Sequence, residues 1–267
     1  MENGAEKAEK SEHRWRSGKE TILGYGITLA LFVALIELGH ASLPPYLFPS
    51  TLSIISATLT ALQNNFGDLL ITLARLVMAL LTSTLVGWLI GLLMGAFRRT
   101  VSPIAIPVLS ILQAIPALSW VLVASLWMAN PEIRVWFICF TIGVPLYAIS
   151  VYEGIRDLDG DLIEAVDQFR PSKWQVIQTL LIPQSLVHLL ISMRNVSSLV
   201  LRILVFAELI GASTGVGARM GDAQTNFDMG MIFAWTAIMV VLNFLILWGI
   251  ELAERKLLSW RREVAVR

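Results

Sequence analysis

The residues able to do chemistry in this chain are few, and most sit where charge is expensive. Glu37, Arg75, Arg194, Arg202 and Glu208 all fall inside long apolar runs. A charge at the centre of a bilayer costs about 3 kcal/mol or more, so each of them must face protein or a water-filled path. A long side chain near the end of a run can instead reach the interface, which is the plainer account of Glu37, Arg75 and Arg194. Arg202 resists that account, because it stands sixteen residues from one end of its run, Leu186, and eight from the other, Ile210. It is the first candidate for contact with a passing solute, with Glu208 and Arg75 as further candidates. An ion pair of either arginine with Glu208 is open.

Little else points to catalysis. His13, His40 and His188 are scattered without metal-ligand spacing, and Cys139 stands alone in an apolar run. No Gly-x-x-x-x-Gly-Lys-Ser/Thr loop is present, so the chain does not itself supply nucleotide hydrolysis. The expectation is a protein without metal or cofactor and not an enzyme. Zero formal net charge offers no overall basic field for nucleic acid.

The elements that hold these residues follow from hydropathy. The 267 residues are 56% hydrophobic and only 15% charged, with a mean hydropathy of +0.70. That balance makes lipid the solvent for most of the chain. Six runs are long enough to span: Ile22 to Leu38, Leu69 to Phe97, Ile104 to Met128, Ile133 to Tyr152, Leu186 to Ile210 and Met231 to Leu252. In lipid such runs must close their own backbone hydrogen bonds, so the fold class is an all-α integral membrane protein of about six helices. With the N-terminus inside, fifteen of the twenty Lys and Arg fall in inside segments and two, Arg134 and Arg219, outside. This bias places both termini in the cytoplasm. Residues 1–20 and 253–267 read as cytoplasmic tails around a spanning domain of 21–252. A cleavable leader ending near Gly39-His40-Ala41 is the alternative for the first run.

Ser83, Gly87, Gly91 and Gly95 recur every fourth residue and form a face where another helix backbone can approach closely, from this chain or a second copy. Pro103, Pro107, Pro116 and Pro145 start or interrupt the third and fourth runs and bend them. The inside loop 153–185 is too long for a simple connection. Leu162, Val166 and Phe169 share one helical face, as do Trp174, Ile177 and Leu181, which predicts two short amphipathic helices. Between them Pro171 drives Arg170 out of the α region, and Ser172 with Gln175 forms a capping box.

The run Glu164-Ala165-Val166, followed by Trp174 and by Leu181-Ile182-Pro183, resembles the EAA loop of the membrane subunits of binding-protein-dependent ABC importers. Leu43-Pro44-Pro45-Tyr46-Leu47-Phe48-Pro49-Ser50 is similar to the external loop of the nitrate, sulfonate and taurine branch. Ala207-Glu208-Leu209-Ile210-Gly211-Ala212, with Gly215 and Gly217, is similar to its fifth-span exit, and Gln113, Pro116 and Trp120 to the start of its third span. The family's loop glycine is Arg170 here. The resemblance implies a type I importer permease fold with cytoplasmic coupling helices, in which Glu164, Ala165, Phe169, Arg170, Trp174 and Pro183 engage an ATPase. It implies as partners cytoplasmic ABC ATPase subunits, an external solute-binding protein and a second permease copy or paralogue. The solute would be a small anion, a sulfonate or a vitamin-like compound. A secondary transporter or channel without an ATPase is the alternative.

Overall fold

A computed structural model describes residues 23–44, 46–158, 166 and 168–257, and those residues contain helices and connections but no strand. In chain order the helices are α1 (Leu23–Ser42), α2 (Thr51–Asn64), α3 (Phe66–Ala96), α4 (Ser102–Ala114), α5 (Ala117–Trp127), α6 (Pro131–Arg156), α7 (Lys173–Gly211), α8 (Val216–Thr225) and α9 (Met229–Leu257). Five of them, α1, α3, α6, α7 and α9, are each long and apolar enough to cross a membrane.

The third expected span, Ile104 to Met128, is not one straight crossing. It is the pair α4 and α5, bent by 88°. The break sits where Pro116 forces Ile115 into extended backbone, ψ 122°. Pro107 and Pro145 are each absorbed inside a helix.

The centre of the bundle is α6 between α3 and α7, with Leu76, Ile138, Tyr147, Val151, Val200 and Leu204 all buried there. The small-residue face of α3 packs on α6. A Cβ added to Gly87 would lie 2.6 Å from the Tyr147 Cβ, and one on Gly91 2.6 Å from the Ala148 carbonyl oxygen. Gly95 faces Ile155, and Ser83 faces Gly143 of α6. On the opposite side of α3, Leu81, Leu85, Leu89 and Leu93 are exposed at four-residue spacing, as a lipid-facing stripe requires.

α1 is exposed over its apolar length and meets the remainder through its last turns. There Glu37 accepts from the Thr51 amide at 2.9 Å, and His40 Nδ1 lies 2.8 Å from the Phe48 carbonyl oxygen.

The second amphipathic segment of the inside loop is not a separate helix. It continues into the fifth span as α7, which runs unbroken from Lys173 to Gly211. Residues Ile177–Leu181 form a π turn. Its physical cause is Pro183, which has no N–H to return to the preceding turn, so the helix widens to keep its other carbonyls bonded.

Candidate functional site

Three places in the bundle bear on function, and the first is a buried lattice of charge where α3, α6, α7 and α8 meet. Asp68, Thr72 and Arg75 fall on one face of α3, at spacings of four and three residues. Glu208 stands in the last turn of α7, fully buried. A carboxylate there opposes the negative end of its own helix dipole, so it needs strong external donors. It has them: Arg75 Nη1 donates at 2.7 Å, Thr72 Oγ1 at 2.9 Å and the Gly217 amide at 3.0 Å.

Every N–H of Arg75 is engaged. Nε donates to Glu132 at 2.8 Å, Nη2 to Glu132 and to Thr214 Oγ1, and Nη1 to Glu208 and the Thr214 carbonyl. Asp68 accepts from the Gly215 amide at 2.7 Å and from Arg219 Nε at 2.8 Å. That bond to Asp68 raises the Arg219 pKa further above its ordinary value, so Arg219 is a fixed cation. The lattice ties the start of α8 to α3 and α7 by its backbone amides. It requires glycine at 215, where φ is +105° and a Cβ would sit 2.4 Å from the Glu208 carboxylate. Arg134 completes this end by donating to the Met128 carbonyl at the end of α5 and to the Gly211 carbonyl at the end of α7.

The second place is a groove of about 540 Å³ between α7 and α9. Arg202 lines it, and neither Arg75 nor Glu208 does. Arg202 donates from Nε to the Ser198 carbonyl of its own helix at 3.2 Å. Further along α7, Arg194 is paired with Glu254 of α9 at 2.6 Å.

The third is the loop. Glu164 and Ala165 lie outside the described residues. Beyond them Phe169 and Trp174 are exposed. Arg170 takes φ +47°, a left-handed conformation that L-residues other than glycine seldom adopt. Ser172 then caps α7 in a complete box, accepting from the Gln175 amide while Gln175 Oε1 accepts from the Ser172 amide at 2.7 Å. Pro183 sits at the junction of the π turn with the α-helical remainder of α7.

Of the ionisable residues singled out from sequence, the structure brings Arg75 and Glu208 together and leaves Arg202 apart. Asp68, Thr72, Glu132, Thr214 and Arg219 were not among those candidates. The spacing of Asp68, Thr72 and Arg75 was a legible signal, a polar stripe on the first three turns of a largely apolar helix. Among the described residues no group of three or more metal-ligating side chains converges.

Residues 87–259 match the family described as the binding-protein-dependent transport system inner membrane component. SsuC of Bacillus subtilis (strain 168), whose name assigns it to aliphatic sulfonate transport, is 30% identical over 254 residues, covering 94% of this chain and 90% of SsuC. The taurine transport system permease protein TauC of Escherichia coli (strain K12) is 26% identical over 94% of each chain. The formylaminopyrimidine transport permease protein ThiX of Halalkalibacterium halodurans is 27% identical over 82% of this chain and 88% of ThiX. Among solved structures, an amino acid ABC transporter with histidines superposes with a TM-score of 0.62 at 18% identity, over 72% of this chain and 92% of that one. An inward-facing MetNI methionine ABC transporter gives 0.59 at 18% identity, over 70% and 92%. These two establish the likeness of fold. With a family match over most of its length and relatives that it covers nearly end to end, the chain belongs to the inner membrane components of binding-protein-dependent transport systems.

Proposed function

We propose that this chain is the permease subunit that lines the solute path of an ATP-driven importer and that α7 transmits the stroke of an ATPase to that path. The observation that carries the reading is the construction of the loop. An exposed Phe169, a left-handed Arg170 and a capped helix presenting an exposed Trp174 form an aromatic-bearing knob at the end of a 39-residue helix. Such a helix is roughly 58 Å long. Its far end is Glu208, locked to α3 and α8. A push on the knob therefore acts on the element that bears both Arg202 and the charge lattice, and rigid-body motion of α7 with its partners would expose the path alternately to each side.

In this reading Glu164, Ala165, Phe169, Arg170 and Trp174 contact a cytoplasmic ABC ATPase, and Pro183 sets how the knob joins the shaft. The loop end of the bundle is cytoplasmic, with both termini on that side. The opposite end, with the lattice, meets an external solute-binding protein. A second permease, a copy or a paralogue, completes the path. The relatives named for aliphatic sulfonates, taurine and formylaminopyrimidine support a small organic solute, anionic groups foremost.

The test is purification of the tagged chain in mild detergent with identification of co-purifying polypeptides by mass spectrometry. A P-loop ATPase in about equal amount is the expected outcome, lost with Phe169→Asp or Trp174→Asp while membrane insertion is retained. A chain that purifies alone, with no ATPase captured by cross-linking from a cysteine introduced at Phe169, would return the reading to an ion-driven transporter or channel.

A further inference from the structure

The groove between α7 and α9 holds a cation that no carboxylate among the described residues pairs. Arg202 lies eight residues from Arg194 and six from Glu208 along α7, which puts it about 12 Å and 9 Å from those two anchored positions. Both of those find an opposite charge, Arg194 in Glu254 and Glu208 in Arg75. Arg202 does not: among the described residues no carboxylate reaches it, and its two Nη groups donate no hydrogen bond. It is exposed on the flank of α7, beside the middle of α9, where Ser198, Thr236 and Asn243 line the same groove and the remaining wall is apolar.

An unpaired guanidinium at this depth is stable only if water and a counter-charge reach it. Arg202 lies about 12 Å along α7 from Ile210, the nearer end of its apolar run. At about 540 Å³ the groove is within the roughly 300–1,000 Å³ typical of small-molecule sites. Two parallel Nη–H donors match two oxygens of a sulfonate, phosphonate or carboxylate, and the Asn243 amide lies on the facing helix as a further donor.

The geometry points to Arg202 as the specificity residue of the path, a mid-membrane contact for the oxyanion group of the transported solute. The inference rests on the importer reading but can fail separately from it. The complex is purified in lipid nanodiscs with Cys139→Ala and a Val240→Cys reporter on the groove wall. The introduced thiol is then labelled with 2-sulfonatoethyl methanethiosulfonate, itself a small alkyl sulfonate, and with its trimethylammonium counterpart.

With Arg202 present, the ratio of anionic to cationic labelling rates should exceed that of Arg202→Gln by at least about tenfold, as one nearby unit charge in a partly dehydrated site requires. Arg202→Lys should keep most of the preference. Excess methanesulfonate should slow the anionic reagent in the parent and in Arg202→Lys but not in Arg202→Gln. A thiol inert to both reagents, or a ratio unchanged by Arg202→Gln, overturns the assignment. Whether an ATPase is present in the same preparation is read independently, so its absence would sink the importer reading and leave the charge preference standing on its own.

Discussion

At the residue scale, the buried carboxylate of Glu208 and the guanidinium of Arg75 depend on one another. Breaking a buried pair by removing one partner costs about 3–5 kcal/mol where the other charge is left alone, as Glu208 would be without Arg75; Arg75 without Glu208 keeps Glu132 but loses its buried partner. Glu208→Gln should therefore lower the thermal midpoint of the detergent-solubilised protein sharply. Arg75→Gln adds less on that background than alone, with a coupling of about 1–3 kcal/mol in a double-mutant cycle. Additive effects would show that the pair found in the structure is not energetically coupled. Arg170 behaves in the opposite sense. An L-residue held at φ +47° carries about 1 kcal/mol of strain, so Arg170→Gly should leave the loop intact and raise stability slightly. Arg170→Val, β-branched at the same angle, should weaken ATPase co-purification. Equal co-purification of the two variants would mean that the left-handed turn is not what positions Phe169 and Trp174.

Among the elements, the interface of α3 with α6 is the one least able to yield. Gly91 meets a backbone carbonyl, not a flexible side chain, so any larger residue must push the helices apart. Overpacking commonly costs about 1–3 kcal/mol and more where backbone opposes backbone. Gly91→Leu is expected to reduce folded yield in the membrane severely, read by fluorescence-detected size exclusion, whereas Leu85→Ala on the lipid-facing stripe should be close to neutral. α7 is a different kind of element. Its π turn, prompted by Pro183, makes the amphipathic loop segment and the spanning segment one continuous body where the sequence pattern read two.

For the whole molecule, the position of the termini decides which end of the bundle meets ATP. A reporter that fluoresces only in the cytoplasm, fused after Arg267, should be bright, and alkaline phosphatase fused at Gln224 in α8 should be active. The reverse pattern would put the Phe169–Trp174 knob outside and remove the basis for coupling. The exposed apolar length of α1, which among the described residues meets the bundle through its last turns, marks it as the helix most surrounded by lipid or by another subunit.

What the sequence alone determined was local and periodic. Apolar run length set the spanning helices, four-residue spacing of small residues set the packing face of α3, and Ser172 with Gln175 set the cap of α7, because each depends only on neighbours within a few turns. The break at Pro116 was legible as a bend but not as an 88° turn, since its size depends on what α5 packs against, including Trp120 on Phe137. Short α2 and α8 were not read because neither has the apolar length of a span. The partners of Glu208 were beyond the sequence for a deeper reason: Thr72 and Arg75 lie 136 and 133 residues away, and an ion pair exists only where packing brings two helix ends within about 3 Å. Of the three arginines inside the expected spans, the same packing paired Arg75 with Glu208 and Arg194 with Glu254 and, among the described residues, left Arg202 without a carboxylate, which only the tertiary structure could show.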